Sequence, residues 1–277
     1  LISNLRRFGL QHILVASGFH FTLIATLFMA IFGLWLPWRA VCVALLLMTT
    51  GYLLFIGLTP SVLRAWCSCT LVLCAKLLSC KSSGLNALGI GAVAVLLFEP
   101  TAADSLSFQL SFLATGAILL FYPPLHRRIK ALFPTHTLSE AITFPFIEQL
   151  VVVLLAFFCS SVALVLSVSI VMLPMSLFAF HAFPLMGMLY NCFFPFVVSI
   201  AVSLLCIALL LSWIGPIAAM FFSAASCLTE GALKLVTHAP AWLDITMYRG
   251  ELSGITVVLY LTLLFTIRIG HPNRLNP

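Results

Sequence analysis

Few side chains in this sequence can do chemistry, and they fall in four places. Ser17 and His20, in Ala16-Ser17-Gly18-Phe19-His20, are three residues apart and share a helical face. Gly18 between them lets another helix come close, or lets its own helix bend. No carboxylate lies nearby in sequence to orient the imidazole, so the pair lacks the third member of a hydrolytic triad. It reads as an interhelical hydrogen bond or as the lining of a polar path. Arg64 follows in Pro60-Ser61-Val62-Leu63-Arg64-Ala65. There it snorkels from a helix end, forms a structural ion pair, or faces a helix-bundle interior, where a planar guanidinium suits phosphate. Gln109 and Ser111 lie in Ser107–Phe112, just after Glu99 and Asp104. They link helices or form a polar strip along a pore whose mouth the two acids close. Asn191 sits among Pro174, Pro184, Gly187 and Pro195. These interruptions indicate a cavity, a re-entrant element or a short hairpin, because freed backbone groups at membrane depth must be covered. Gly18, Pro100, Pro174 and Pro195 are the expected helix breaks.

The background to these residues is almost wholly apolar. The 277 residues are 63% hydrophobic and 7% charged, with a mean hydropathy of +1.21. Soluble domains are about 25% charged, and cannot hide this much apolar surface. That excludes a soluble enzyme, a disordered chain and an ordinary nucleic-acid-binding domain. Charge-free runs separate the ionised residues: 31 residues between Arg7 and Arg39, 24 between Arg39 and Arg64, 22 between Asp104 and Arg127, and 81 between Glu148 and Glu230. About 20 apolar residues cross a bilayer as a helix. Runs that are apolar on every face do not suit a barrel. The expected fold is therefore all-α, a polytopic transmembrane helix bundle of eight or nine hydrophobic segments with broken or re-entrant helices.

Prolines punctuate the segments, since a proline removes a helical hydrogen bond. Expected helices run over 11–36, 40–58, 61–80, 84–98, 105–122 (stopping at Pro123-Pro124), 150–173, 184–213, 216–236 and 254–269. The polar stretch over about 123–148, with Arg127, Arg128, Lys130, Glu140 and Glu148, reads as an interfacial helix or loop. The whole of 1–277 is expected to be one transmembrane domain.

The net charge of +6 is spread between apolar runs and reads as topology. Arg39, Lys76, Lys81 and the cluster at 127–130 fall in odd-numbered loops, which puts those loops in the cytoplasm and the N terminus outside. Arg6 and Arg7 dissent. Arg268 and Arg274 would lie inside with nine spans and outside with eight. The nine cysteines form no CxxC motif and sit mostly in apolar runs, as small hydrophobes do. No metal site, cofactor motif or catalytic constellation is expected, and no GxxxxGK[ST] sequence occurs. The apolar run after Arg7 is too long for a signal peptide. A first residue of leucine is expected of a fragment or of a short relative of a longer protein.

Taken in order, the polar groups resemble the ComEC competence-protein family. Gly9–Phe21 (GLQHILVASGFHF) is similar to its Gly-Leu-x-His-x-Leu-x-x-Ser-Gly-x-His signature, and Pro60–Trp66 (PSVLRAW) to its Leu-Arg-Ala element. Leu85–Pro100 followed by Ser107–Thr115 (SFQLSFLAT) is similar to its Leu-Asn-Ala…Pro…Phe-Gln-Leu-Ser-Phe block. Pro174 and Tyr190–Phe196 (YNCFFPF) resemble its late Pro and Asn-x-x-x-x-Pro elements. The resemblance implies an inner-membrane channel that passes single-stranded DNA into the cytoplasm during natural transformation, with Ser17, His20, Arg64, Gln109, Ser111 and Asn191 in its polar core or path. It implies further partners: the lipid bilayer, an extracytoplasmic DNA receptor and nuclease, a cytoplasmic ATP-driven motor, and room for a homo-oligomer. Longer members carry an OB-like region and a metallo-β-lactamase-like domain, both outside the membrane. Neither is in this sequence, which has no HxHxDH zinc motif. That placement favours an even number of spans, eight plus one helix that does not cross. The alternative reading is a secondary transporter of a small molecule; a membrane-embedded enzyme or a structural subunit fits less well.

Overall fold

A computed structural model of the chain describes residues 18–57, 60–80, 83–133, 145–237, 245–248 and 252–269. The described residues are almost all helical. In chain order they form α1 (Gly18–Gly33), α2 (Trp38–Ile56), α3 (Pro60–Leu77), α4 (Gly84–Phe98), a 3-10 turn (Pro100–Asp104), α5 (Leu106–Lys130), α6 (Phe146–Phe180), β1 (Ala182–Pro184), α7 (Leu185–Leu210), α8 (Gly215–Thr237), β2 (Thr246–Tyr248) and α9 (Gly254–Ile269). Five of these, α2 and α5 to α8, are long and apolar enough to cross a membrane. The described parts of α1, α4 and α9 are apolar but shorter. The chain is a polytopic all-α membrane protein.

Two compact units divide the chain. One holds Leu1–Phe112 and Phe194–Asp244, the other Leu113–Phe193 and Ile245–Pro277. In the first unit α3 packs against α1, α2 and α4. Among the helices of that packed group α3 carries the arginine, serines, cysteines and threonine of Pro60–Leu77, so the least apolar helix is the one its neighbours screen. Phe21, Leu53, Val62, Leu63, Cys67 and Val95 form its core. The buried residues of α4 (Ala87, Gly91 and Val95) recur every four residues, a small-residue stripe that lets two backbones approach. A Cβ at Gly91 would lie 3.7 Å from that of Cys67. Lipid tails are as apolar as leucine, so such helices are held by close packing and hydrogen bonds instead of by expulsion of water. Leu47, Leu54 and Phe55 on α2 point away from this core and are exposed, as lipid-facing side chains are.

In the second unit α6 packs against α9. A short antiparallel ribbon pairs Ala182 with Tyr248 and Pro184 with Thr246. It joins the chain just before α7 to the chain just after α8, so the α7–α8 excursion leaves and returns at one place. His181 closes α6 in the left-handed conformation, φ 55°, its N–H bonded to the carbonyl of Leu177.

The prolines depart from expectation. Pro100 does separate α4 from α5, at the start of the 3-10 turn. Pro174 and Pro195 break nothing: they lie inside α6 and α7. Pro123 and Pro124 lie inside α5, which continues to Lys130, so the stop expected at Tyr122 is absent. The physical reason is that proline removes one helical donor and crowds one carbonyl; packing neighbours can supply the missing bond, and in a bilayer the helix is otherwise too favourable to abandon. Gly18 is the first described residue of α1, and a break there lies at the edge of the described residues. Of the polar stretch over 123–148, Pro123–Lys130 completes α5 and Phe146–Glu148 opens α6; residues 134–144 lie outside the described residues.

Candidate functional site

Arg64 lies in the second turn of α3 and is the centre of the polar site. Its Nε donates to Ser111 Oγ at 2.7 Å, and its guanidinium carbon sits 5.8 Å from the centre of the Phe112 ring. Ser111 and Phe112 are in the second turn of α5. Among the described residues no carboxylate lies within salt-bridge reach of Arg64. A guanidinium has five N–H donors. One hydroxyl and one aromatic face hold and orient it, and they supply no negative charge.

The start of α5 is built to present Ser111. Ser105 caps the helix: its Oγ accepts from the N–H of Phe108 at 3.2 Å and donates to the carbonyl of Ala102 at 2.8 Å. Gln109 Nε2 turns back to the carbonyl of Ala103 at 2.9 Å. The amide of Gln109 thus ties the 3-10 turn to α5. Phe108 and Phe112 lie against each other, ring centres 4.4 Å apart, and pack on the core of the first unit.

The sequence-derived residues separate as follows. Arg64 and Ser111 meet. Gln109 is adjacent but bonded to the turn. His20 is half-buried on α1, its ring edge-on to Phe19 at 5.5 Å. Asn191 belongs to the other unit; its Oδ1 is buried with no hydrogen-bond partner. Ser17 lies outside the described residues.

Several pairings had no sequence signal. Trp66 Nε1 donates to Thr50 Oγ1 at 3.1 Å, and Thr50 donates on to the carbonyl of Leu46 at 2.7 Å. In the second unit His126 stacks on Tyr122, and its Nε2 is 3.3 Å from Ser160 Oγ. The Ser160 hydroxyl also lies 2.8 Å from the carbonyl of Ala156; when it donates there the imidazole is the donor to Ser160, whereas activation of a serine nucleophile needs the imidazole to accept. Arg268 donates from Nε to the carbonyl of Leu120 at 2.8 Å, and Tyr260 from its hydroxyl to that of Ile170 at 3.3 Å.

Comparison with known proteins identifies the family of the chain. The profile of the family described as "Competence protein" matches residues 1–271. The chain is also similar to ComE operon protein 3 of Bacillus subtilis (strain 168), 28% identical over 121 residues; the match takes in 43% of this chain and 16% of that protein's length. No solved structure matches. Family resemblance read from scattered polar motifs thus extends over nearly the whole sequence, and the chain is a membrane protein of the Competence protein family.

Proposed function

We propose that the chain forms the passage by which single-stranded DNA crosses the bacterial cytoplasmic membrane during natural transformation. The observation that carries this reading is Arg64: a guanidinium on the screened helix of the first unit, oriented by Ser111 and Phe112 and without a carboxylate among the described residues. Leaving a cation unpaired at membrane depth costs several kcal/mol. A passing phosphodiester would offset that cost, and a single cation would not hold the polyanion fast. A guanidinium over aromatic rings is also the chemistry of single-strand channels. The reading requires a DNA receptor and a nuclease outside, and an ATP-driven motor inside; an oligomer is compatible with it.

The test is uptake of labelled DNA by cells whose own copy is replaced by Arg64→Ala. Surface binding and membrane insertion should persist while nuclease-protected DNA and transformants are lost. Normal internalisation by an inserted Arg64→Ala chain would sink the role of Arg64. The secondary-transporter alternative drew on broken helices, and α6 and α7 run unbroken through Pro174 and Pro195, which leaves it less support.

A further inference from the structure

We propose that α9 is a clasp for α5 and α6, in which Arg268 and Tyr260 supply the hydrogen bonds that prolines remove from those helices. A proline deprives the carbonyl four residues earlier of its helical donor. For Pro124 that carbonyl is Leu120, and for Pro174 it is Ile170. Two long-range side-chain bonds from α9 go to these carbonyls: Arg268 Nε to Leu120 at 2.8 Å, and Tyr260 Oη to Ile170 at 3.3 Å.

The two bonds differ as the two vacancies differ. When the i+4 donor is missing, a carbonyl can fall back on the i+3 N–H in a 3-10 bond. Ile170 has that recourse, because residue 173 is leucine. Leu120 does not, because residue 123 is also proline. The carbonyl with neither donor receives the shorter, charge-assisted bond, from an arginine only 8% exposed. The carbonyl with one remaining donor receives the longer, neutral one. In a bilayer no water completes either group, so the clasp also explains how α5 passes through Pro123-Pro124 unbroken.

Further contacts bring the helices into register. Phe265 meets Phe121 edge-on, ring centres 5.9 Å apart, and a Cβ on Gly254 would lie 3.5 Å from the Phe178 ring. Gly254 opposite Phe178 and Tyr260 opposite Ile170 make α9 antiparallel to α6. The device therefore keeps two proline-bearing helices continuous from a third, and release of α9 would leave both proline sites without that support.

The proposal is tested by double-mutant cycles on the full chain in detergent or nanodiscs, read as thermal melting of helicity. Arg268→Met should lower the midpoint by roughly 5 °C. Pro124→Ala restores the N–H that Leu120 needs and should cancel most of that loss. Pro123→Ala restores only the 3-10 donor and should cancel less; Pro174→Ala should cancel none. Tyr260→Phe should show a smaller loss, cancelled by Pro174→Ala and not by Pro124→Ala. If Arg268→Met does not yield folded protein, recovery of monodisperse protein by adding Pro124→Ala supports the clasp, and failure to recover it overturns the clasp. Additive effects in every pair, with no rescue specific to the matched proline, also overturn it.

Discussion

Arg64 separates two properties that a lysine would not combine. Its Nε is spent on Ser111, and among the described residues no carboxylate pairs with the rest of the planar fork, whose geometry suits an anion. Arg64→Lys keeps the charge and loses the fork, so internalised DNA should fall between that of the native chain and that of Arg64→Ala. Ser111→Ala removes the orienting acceptor and leaves the charge. It should reduce nuclease-protected DNA by less than Arg64→Ala does; an equal loss would make Ser111 a contact in its own right. Sequence alone could mark both residues, because a polar side chain in an apolar run is conspicuous. It could not pair them, because they are 47 residues apart and meet only where α3 and α5 pack. Gln109 was equally conspicuous, yet the turn after Pro100 takes its amide, a local outcome that depends on the exact path of five residues.

At the level of elements, α3 and α4 show what helix packing asks of a sequence without a hydrophobic driving force. The 3.7 Å separation between a Cβ at Gly91 and Cys67 is ordinary van der Waals distance. Gly91→Ala should therefore be neutral or stabilise by up to about 1 kcal/mol through helix propensity, whereas Gly91→Leu should push α3 away and lower the melting midpoint. A marked loss in Gly91→Ala would show that the helices sit closer than this geometry. Ser105→Ala removes the cap of α5 and should cost about 1 kcal/mol, measurable as a shift in the same melting curve. Most element boundaries were legible in residue order. The limits of α4 and α9 match those expected, since Gly84, Glu99-Pro100 and Gly254 punctuate them. The stops expected at Pro123-Pro124 and at Pro174 are absent for one reason: a proline ends a helix only when nothing replaces the bond it removes. There the replacement comes from α9, and no local window contains it; the break expected at Pro195 is absent too, α7 running on through it.

At the scale of the molecule, the antiparallel course of α9 against α6 has a topological consequence. The C-terminal end of α9 points toward the N-terminal end of α6, the end the chain enters from the basic cluster Arg127, Arg128 and Lys130. The two should emerge on one side of the membrane, the cytoplasmic side by the positive-inside rule, which is the outcome of nine spans and not of the even number that the flanking domains of longer members favour. An epitope placed in residues 134–144 and one placed after residue 269 should then be reached by antibody from the same face of oriented vesicles; labelling from opposite faces would refute this. The membrane class and the approximate number of segments follow from charge spacing and run length, because the bilayer acts on each segment separately and penalises each charge where it stands. Belonging to the competence family was likewise visible in short motifs, which are matters of residue order. Which donor meets which acceptor was not. Arg64 with Ser111, Tyr260 with Ile170, and Arg268 with Leu120 across 148 residues are set by how helices lie against one another, and hydropathy is nearly silent on that because one apolar face packs on lipid or on protein at almost the same free energy.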